Sequence, residues 1–268
     1  MADLTGQAYP SESLAPSVFH HISSQGGLAA PEKTLNFSGL FRCCNKSNRE
    51  ARVQTAYARE QMIEQQVRAW DVLDARVLEV LRKVPRELFV PQGQRYRAYA
   101  DAEVPLPRGQ HMLRPSVVGR LLQALLPAAS ERVLEVGAGT GFVTACLRAM
   151  ATQVRALEIF PELAETARAN LALFGLRDVE LVEADAMQGD GGARYDVIAL
   201  TASLPVYDAR FERMLTVGGR LFVVVGEAPV MDARLVRRTS EDSVATRSLF
   251  ETVIDPLVNA VRPPEFAF

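Results

Sequence analysis

The 268-residue chain is poor in cysteine and histidine, with three of each. The cysteines are Cys43, Cys44 and Cys146, and the histidines are His20, His21 and His111. Three thiols, two of them adjacent, cannot build a disulfide framework and fit a reducing compartment. A zinc site needs more ligands at regular spacing, so no metal is expected. No apolar run reaches the roughly 18 residues of a membrane span. Asp3, with no basic start leading into an apolar stretch, argues against a signal peptide. An excess of one charge is missing too, since 30 Lys and Arg face 32 Asp and Glu, a net −2. Nucleic acid is therefore disfavoured as the main partner, because phosphate binding leaves a basic face. The expectation is a cytoplasmic protein, monomeric, working with neither membrane nor nucleic acid.

Residues 1–52 are rich in Ser, Pro, Gly, Asn and Gln and keep no period of either kind. They read as a disordered extension, with His20-His21 and Cys43-Cys44 as incidental members. Removing residues 1–50 is expected to leave ligand affinity unchanged. Residues 53–268 read as one domain in three parts: a helical and loop part at 53–130, a core at 131–230 and C-terminal strands at 231–268.

The run from Gln54 to Trp70 has good helix formers, with Tyr57, Met62, Ile63, Val67 and Trp70 near helical spacing. Asp74 can cap a second helix through Val77, Leu78 and Leu81 that Pro85 breaks, and Pro91 ends a further short segment. Residues 101–115, with Pro105, Pro107 and Gly109, read as a loop. Pro115 can open the next helix, whose stripe of Val117, Val118, Leu121, Leu122 and Leu125 runs to Pro127. Strands and helices then alternate. Strands are expected at Arg132–Val136, Gln153–Glu158, Val179–Val182, Asp196–Leu200 and Leu221–Val225. Helices are expected at Phe142–Met150, at Pro161–Phe174 with Gly175 as its stop, and around Ala209–Leu215, ending at Gly218-Gly219. Two more strands fall near Ala233–Thr239 and Ser248–Ile254. Such alternation implies an α/β fold, a mostly parallel sheet with helices on both faces.

The sharpest motif is Glu135-Val136-Gly137-Ala138-Gly139-Thr140-Gly141. It follows a strand and opens a helix. Glycines suit a tight turn and a close backbone approach to a ligand, and a helix N-terminus adds free N–H groups. Dinucleotides want Gly-x-Gly-x-x-Gly. Here the third glycine comes one residue early, so an NAD oxidoreductase is a distant reading. Acid-x-Gly-x-Gly-x-Gly is the pattern of S-adenosylmethionine methyltransferases. That cofactor carries an ammonium and a carboxylate, which an acid and backbone amides suit respectively. Glu158, followed by Ile159, ends the second strand about 20 residues on, where its carboxylate can accept from two ribose hydroxyls. Asp185 follows the third strand and is placed for the adenine amino group, with the Ala186 N–H beside it. The expected cofactor contacts are therefore Glu135, Gly137, Ala138, Gly139, Gly141, Glu158, Ile159, Asp185 and Ala186.

Other segments carry a family resemblance. Val84-Pro85-Arg86-Glu87-Leu88-Phe89-Val90-Pro91 looks like a helix-ending signature, and Tyr99-Ala100-Asp101, Pro105-Leu106 and Gly109-Gln110 like a substrate-loop frame closed by Pro115. Tyr195-Asp196-Val197-Ile198, Thr201-Ala202 and Gly218-Gly219-Arg220-Leu221 fit a fourth and fifth strand. From about Met62 onward the chain resembles the protein-L-isoaspartate O-methyltransferase family. The resemblance implies a Rossmann-like seven-stranded methyltransferase sheet with an antiparallel last strand. It also implies S-adenosyl-L-methionine as cofactor, with Gln110 among its contacts, and a protein or peptide substrate bearing an isoaspartyl carboxylate. The implied function is repair of damaged proteins. One segment departs from the family, which usually reads Gly-Gln-Thr-Ile-Ser before the proline. This chain reads Gly109-Gln110-His111-Met112-Leu113-Arg114-Pro115. Leu113 stands where the family serine lies beside the acceptor carboxyl, and Leu neither donates nor accepts a hydrogen bond.

A carboxylate acceptor has an ordinary pKa of about 3.9 and is ionised at neutral pH, so methyl transfer to it needs no general base. The protein must align acceptor and methyl and exclude water. His111 can donate to the acceptor in place of the serine, and Arg114 is a weaker candidate. Thr201, after the fourth strand, faces the cofactor side in this fold. Catalytic candidates are thus His111, the substituted Leu113 position and Thr201. Two rival readings remain: the same fold with another small-molecule or protein acceptor, and a cofactor-binding regulatory protein without catalysis.

Overall fold

In a computed structural model that describes residues 53–263, the first helical run follows its apolar spacing but changes pitch. The extension expected over residues 1–52 lies outside the described residues, as do 264–268. Helix α1 (residues 53–62) continues into a π turn, Ile63–Val67, and a 3-10 turn, Arg68–Trp70. Ile63 and Val67 are fully buried in that π turn. Asp74 caps α2 (Ala75–Lys83) as expected, accepting from the backbone N–H groups of Arg76 and Val77. A cap of this kind is worth about 1 kcal/mol. Pro85 precedes the single turn α3 (Arg86–Phe89).

The expected loop at 101–115 holds a small antiparallel hairpin, β1 (Val104–Pro105) with β2 (His111–Met112), closed by a turn at Pro107–Gly109. Pro115 then opens α4 (Pro115–Leu125), which buries the predicted stripe. Beyond it come β3 (Arg132–Val136), α5 (Phe142–Arg148), β4 (Gln153–Glu158), α6 (Pro161–Phe174) and β5 (Glu180–Glu183). Gly175 stops α6 in a left-handed conformation, as its place in the sequence implied. The chain continues through β6 (Tyr195–Leu204), α7 (Arg210–Arg213), β7 (Leu215–Glu227), β8 (Val230–Ser240) and β9 (Ser243–Glu251).

All but the hairpin strands form one seven-stranded sheet in the order β5-β4-β3-β6-β7-β8-β9. The first five run parallel, and β7–β8 and β8–β9 pair antiparallel. The central parallel strands β3, β4, β6 and β7 are buried on both faces, alternate residues facing opposite sides, while the edge strand β5 is not. On β6, Val197 and Ala199 join a core cluster with α2, α4 and α5, while Ile198 and Leu200 join a second cluster with Phe211 of α7. Gly218-Gly219, expected to end a helix, instead lies inside β7. A Cβ on Gly219 would sit 3.1 Å from the backbone oxygens of Tyr195 and Asp196, so the glycine lets β7 run close against β6. No helix among the described residues is long and apolar enough to cross a membrane.

Candidate functional site

The parallel strands deliver their C-terminal ends to one side of the sheet, where ligands of open α/β sheets bind. A cleft with about 940 Å³ of empty space, open to solvent, lies there. Of the expected contacts, Gln110, His111, Leu113, Glu135, Gly137, Ala138, Gly139, Glu158, Ile159, Asp185, Ala186 and Thr201 all line it. Gly141 does not. Its φ is +88°, and a Cβ there would meet Leu171 and the Ala167 carbonyl of α6 at 3.2 and 3.3 Å. The third glycine therefore serves helix packing, not the cleft.

The glycine loop is held from below. Thr201 donates its hydroxyl to the carbonyls of Val136 and Gly137, at 2.8 and 2.6 Å. A Cβ on Gly137 would lie 2.6 Å from that same hydroxyl oxygen. Thr201 is thus a brace for the loop, with its hydroxyl turned to backbone. The loop amides differ from expectation as well. Gly137 and Ala138 both donate to the Leu157 carbonyl, Gly139 to the Glu158 carboxylate and Gly141 to the Ala138 carbonyl. These four N–H groups are spent within the chain and are not held ready for a ligand carboxylate.

The three strand-end acids differ in environment. Glu158 is 4% exposed and accepts from Gly139 N–H at 2.7 Å and Phe160 N–H at 3.0 Å. Those bonds orient both oxygens and leave each a lone pair. Asp185 accepts from Met187 N–H at 2.8 Å and from the Asn259 amide at 3.0 Å, so the C-terminal segment steadies it. Glu135 has no exposed surface, and its oxygens make no well-directed hydrogen bond, the Thr144 hydroxyl being the side-chain donor beside them. Burial pushes its pKa up to about 8. The orphaned carboxylate of Glu135 on the cleft wall fits a ligand that brings its own cation, as the cofactor's ammonium would.

The other end of the cleft is framed by the β2–α4 connection and residues 254–258. His111 Nδ1 lies 3.0 Å from Asp255 Oδ2 and 3.3 Å from Oδ1. An ionised carboxylate only accepts, so in that pairing Nδ1 carries the proton. Glu103 stands near both, and burial raises its pKa. Leu113 is 7% exposed and packs into the core, while its carbonyl accepts from Arg86 at 2.7 Å. Arg114 points elsewhere, donating to Thr252 and lying over the Trp70 ring.

Sequence reasoning missed Arg86, Glu103, Asp255 and Leu257, all of which line the cleft. For the last two, the only signal was the change from alternating strand to an irregular segment after Glu251. That segment is tied down by Ser203, whose N–H donates to the Asp255 carbonyl and whose carbonyl accepts from Leu257. Among the described residues, no group of three His, Cys, Asp or Glu could hold a metal.

Comparison with known proteins matches residues 57–262 to the family described as protein-L-isoaspartate(D-aspartate) O-methyltransferase. Among curated relatives, protein-L-isoaspartate O-methyltransferase 1 of Rhodopseudomonas palustris is 39% identical over 206 residues, covering 76% of this chain and 84% of the relative. The Aeropyrum pernix protein-L-isoaspartate O-methyltransferase is also 39% identical, covering 75% and 79%. Among solved structures, a Plasmodium falciparum protein named for the same methyltransferase activity was determined with S-adenosyl-L-homocysteine. It superposes with a TM-score of 0.66 at 16% identity, over 76% of this chain and 97% of that one, a likeness of fold.

Proposed function

This chain belongs to the protein-L-isoaspartate(D-aspartate) O-methyltransferase family, and from that premise we propose that it methylates the free α-carboxylate of L-isoaspartyl residues in damaged proteins. The observation that carries this reading is the gathering of the glycine loop, the three strand-end acids and residues 110–113 around one cleft. S-adenosyl-L-methionine is the methyl donor, and when bound it supplies an electrophilic methyl on a sulfonium. Glu135 would meet its ammonium, Glu158 its ribose hydroxyls, and Asp185 with Ala186 its adenine edge.

The acceptor arrives already ionised, so the chain's work is alignment and exclusion of water. Leu113, Met112 and Ile254 give the cleft apolar walls. With its Nδ1 proton held on Asp255, His111 keeps Nε2 for the acceptor side. With Nδ1 already carrying a proton, Nε2 donates to a carboxylate oxygen only in the charged imidazole, and in that form His111 would take over part of the task of the missing serine. The methyl ester formed would close to a succinimide as a backbone amide nitrogen of the substrate displaces methanol, and hydrolysis would reopen the ring in part as normal aspartate.

A second reading rests on Leu113, which offers the acceptor no hydrogen bond. In that reading the fold and cofactor are the same and the acceptor is another small molecule or a dedicated protein. Radiolabelled S-adenosylmethionine with matched isoaspartyl and aspartyl peptides separates the two. Label on the isoaspartyl peptide alone supports repair. Cofactor binding with neither peptide labelled overturns repair in favour of another acceptor. The protein is further expected to act as a cytoplasmic monomer, and light scattering on the purified chain tests its oligomeric state.

A further inference from the structure

Arg86 is the largest fully buried side chain in the described part of the protein, at 1% exposure. One of its five N–H donors is used, by Nη2 on the Leu113 carbonyl. Its Nε and Nη1 have no hydrogen-bond partner. No carboxylate pairs with it, and its guanidinium carbon lies 4.8 Å from the centre of the Phe142 ring. Arg86 lines the same cleft as Glu135, which is also fully buried and has no cationic partner. Both groups act on the Cys146 thiol, and Arg86 lies over Phe142, so they stand in one neighbourhood along α5. Yet they do not form an ion pair with each other.

A buried charge without a partner is among the most costly features a fold can carry. Arg86 is such a charge, and Glu135 on the same cleft wall is a buried acid that ionises when a cation meets it, so together they match a ligand that carries both signs on adjacent atoms. An α-amino acid end is such a group. Glu135 answers its ammonium. Its carboxylate then needs donors, and four of the glycine-loop amides are already engaged within the chain. The one charged residue of α5, Arg148, sits at its C-terminal end and donates to Asp178, so the start of that helix offers no cation. We propose that Arg86 is the carboxylate receptor of the cleft and binds the α-carboxylate of the cofactor's methionine moiety. The fork of Nε and Nη1 matches a carboxylate's two oxygens. Tied to the Leu113 carbonyl, the same guanidinium also fixes the segment that faces the acceptor, so cofactor binding and acceptor alignment share one side chain.

This inference rests on the methyltransferase reading, and calorimetry on the full chain separates the two. The ligands are S-adenosyl-L-homocysteine and its decarboxylated analogue, which lacks only the carboxylate. The unaltered protein should prefer the carboxylate-bearing ligand. Arg86→Met should weaken that ligand by roughly ten- to a hundredfold, the worth of a hydrogen bond to a charged group, and leave the analogue nearly unchanged. Arg86→Lys should fall between, since it keeps the charge and loses the fork. Equal affinity of the unaltered protein for both ligands would overturn the proposal without need of a variant, and so would an unchanged preference in Arg86→Met. If Arg86→Met keeps its affinity for S-adenosyl-L-homocysteine and raises KM for an isoaspartyl peptide, the receptor serves the acceptor's carboxylate and the proposal falls. Failure of the unaltered protein to bind either ligand would sink the methyltransferase reading itself.

Discussion

Glu135 gives up its proton on unfolding at an ordinary value of 4.5 and holds it in the fold up to about pH 8. Between those values the folded state binds the extra proton. The stability it contributes is full below pH 4.5 and is lost as pH rises through 8. Glu135→Gln should therefore flatten the fall in melting temperature between pH 5 and 9 and leave the variant the more stable at pH 9. An ammonium needs the ionised form, so S-adenosyl-L-homocysteine binding below pH 8 should release a proton, and the Gln variant should release none. Titrations in buffers of different ionisation heat read this directly. Leu113→Ser tests the departure in residues 109–115. Restoring a hydroxyl should raise kcat/KM on isoaspartyl peptide about tenfold or more. The same change removes a buried leucine and should lower the melting temperature. No gain in activity would count against the view that orientation was lost there.

At the scale of elements, α4 seats the N-terminal turns through Gly119. A Cβ on Gly119 would stand 2.8 Å from a methyl of Val67 and 3.0 Å from one of Val72. Both neighbours are β-branched and stiff. Gly119→Ala should cost about 1–3 kcal/mol of overpacking, roughly 2–12 °C in a thermal melt. Local chemistry made several elements readable. Strands β3 and β4 are bounded by glycines and turn residues, and α6 by Pro161 and Gly175, so their limits match the sequence reading. The β1–β2 hairpin stayed hidden because its strands are two residues long and one contains Pro105. The Gly218-Gly219 pair gave the signal of a helix stop, but close approach to β6 is what requires Gly219. The edge strand β9 is exposed over most of its length and lacks the apolar alternation that marks a strand. In the cleft, the strand-end acids were legible from spacing alone. Arg86 and Asp255 were not, because their roles depend on neighbours far along the chain: Arg86 meets Leu113, and Asp255 meets His111.

For the whole molecule, the cleft draws on residues from Arg86 to Val258 and on both core clusters. A ligand seated there ties together the N-terminal helical part, the sheet and the C-terminal segment. At 100 times its Kd, S-adenosyl-L-homocysteine should add about 2.7 kcal/mol of stability. That corresponds to a rise of about 5–10 °C in differential scanning calorimetry, as one transition. Two transitions, with only one shifted, would show that the cleft belongs to a part that unfolds independently.

The hold of Ser203 on residues 255–257 also bears on synthesis of the chain. The ribosome makes the glycine loop and all three strand-end acids well before Asp255 and Leu257. Asn259, which steadies Asp185, comes later still. A nascent chain whose C-terminal residues remain inside the exit tunnel thus has most of the cleft and none of this wall. The wall is set only when residues 255–259 emerge and settle along β6, so the site is finished well after its glycine loop and strand-end acids have been made.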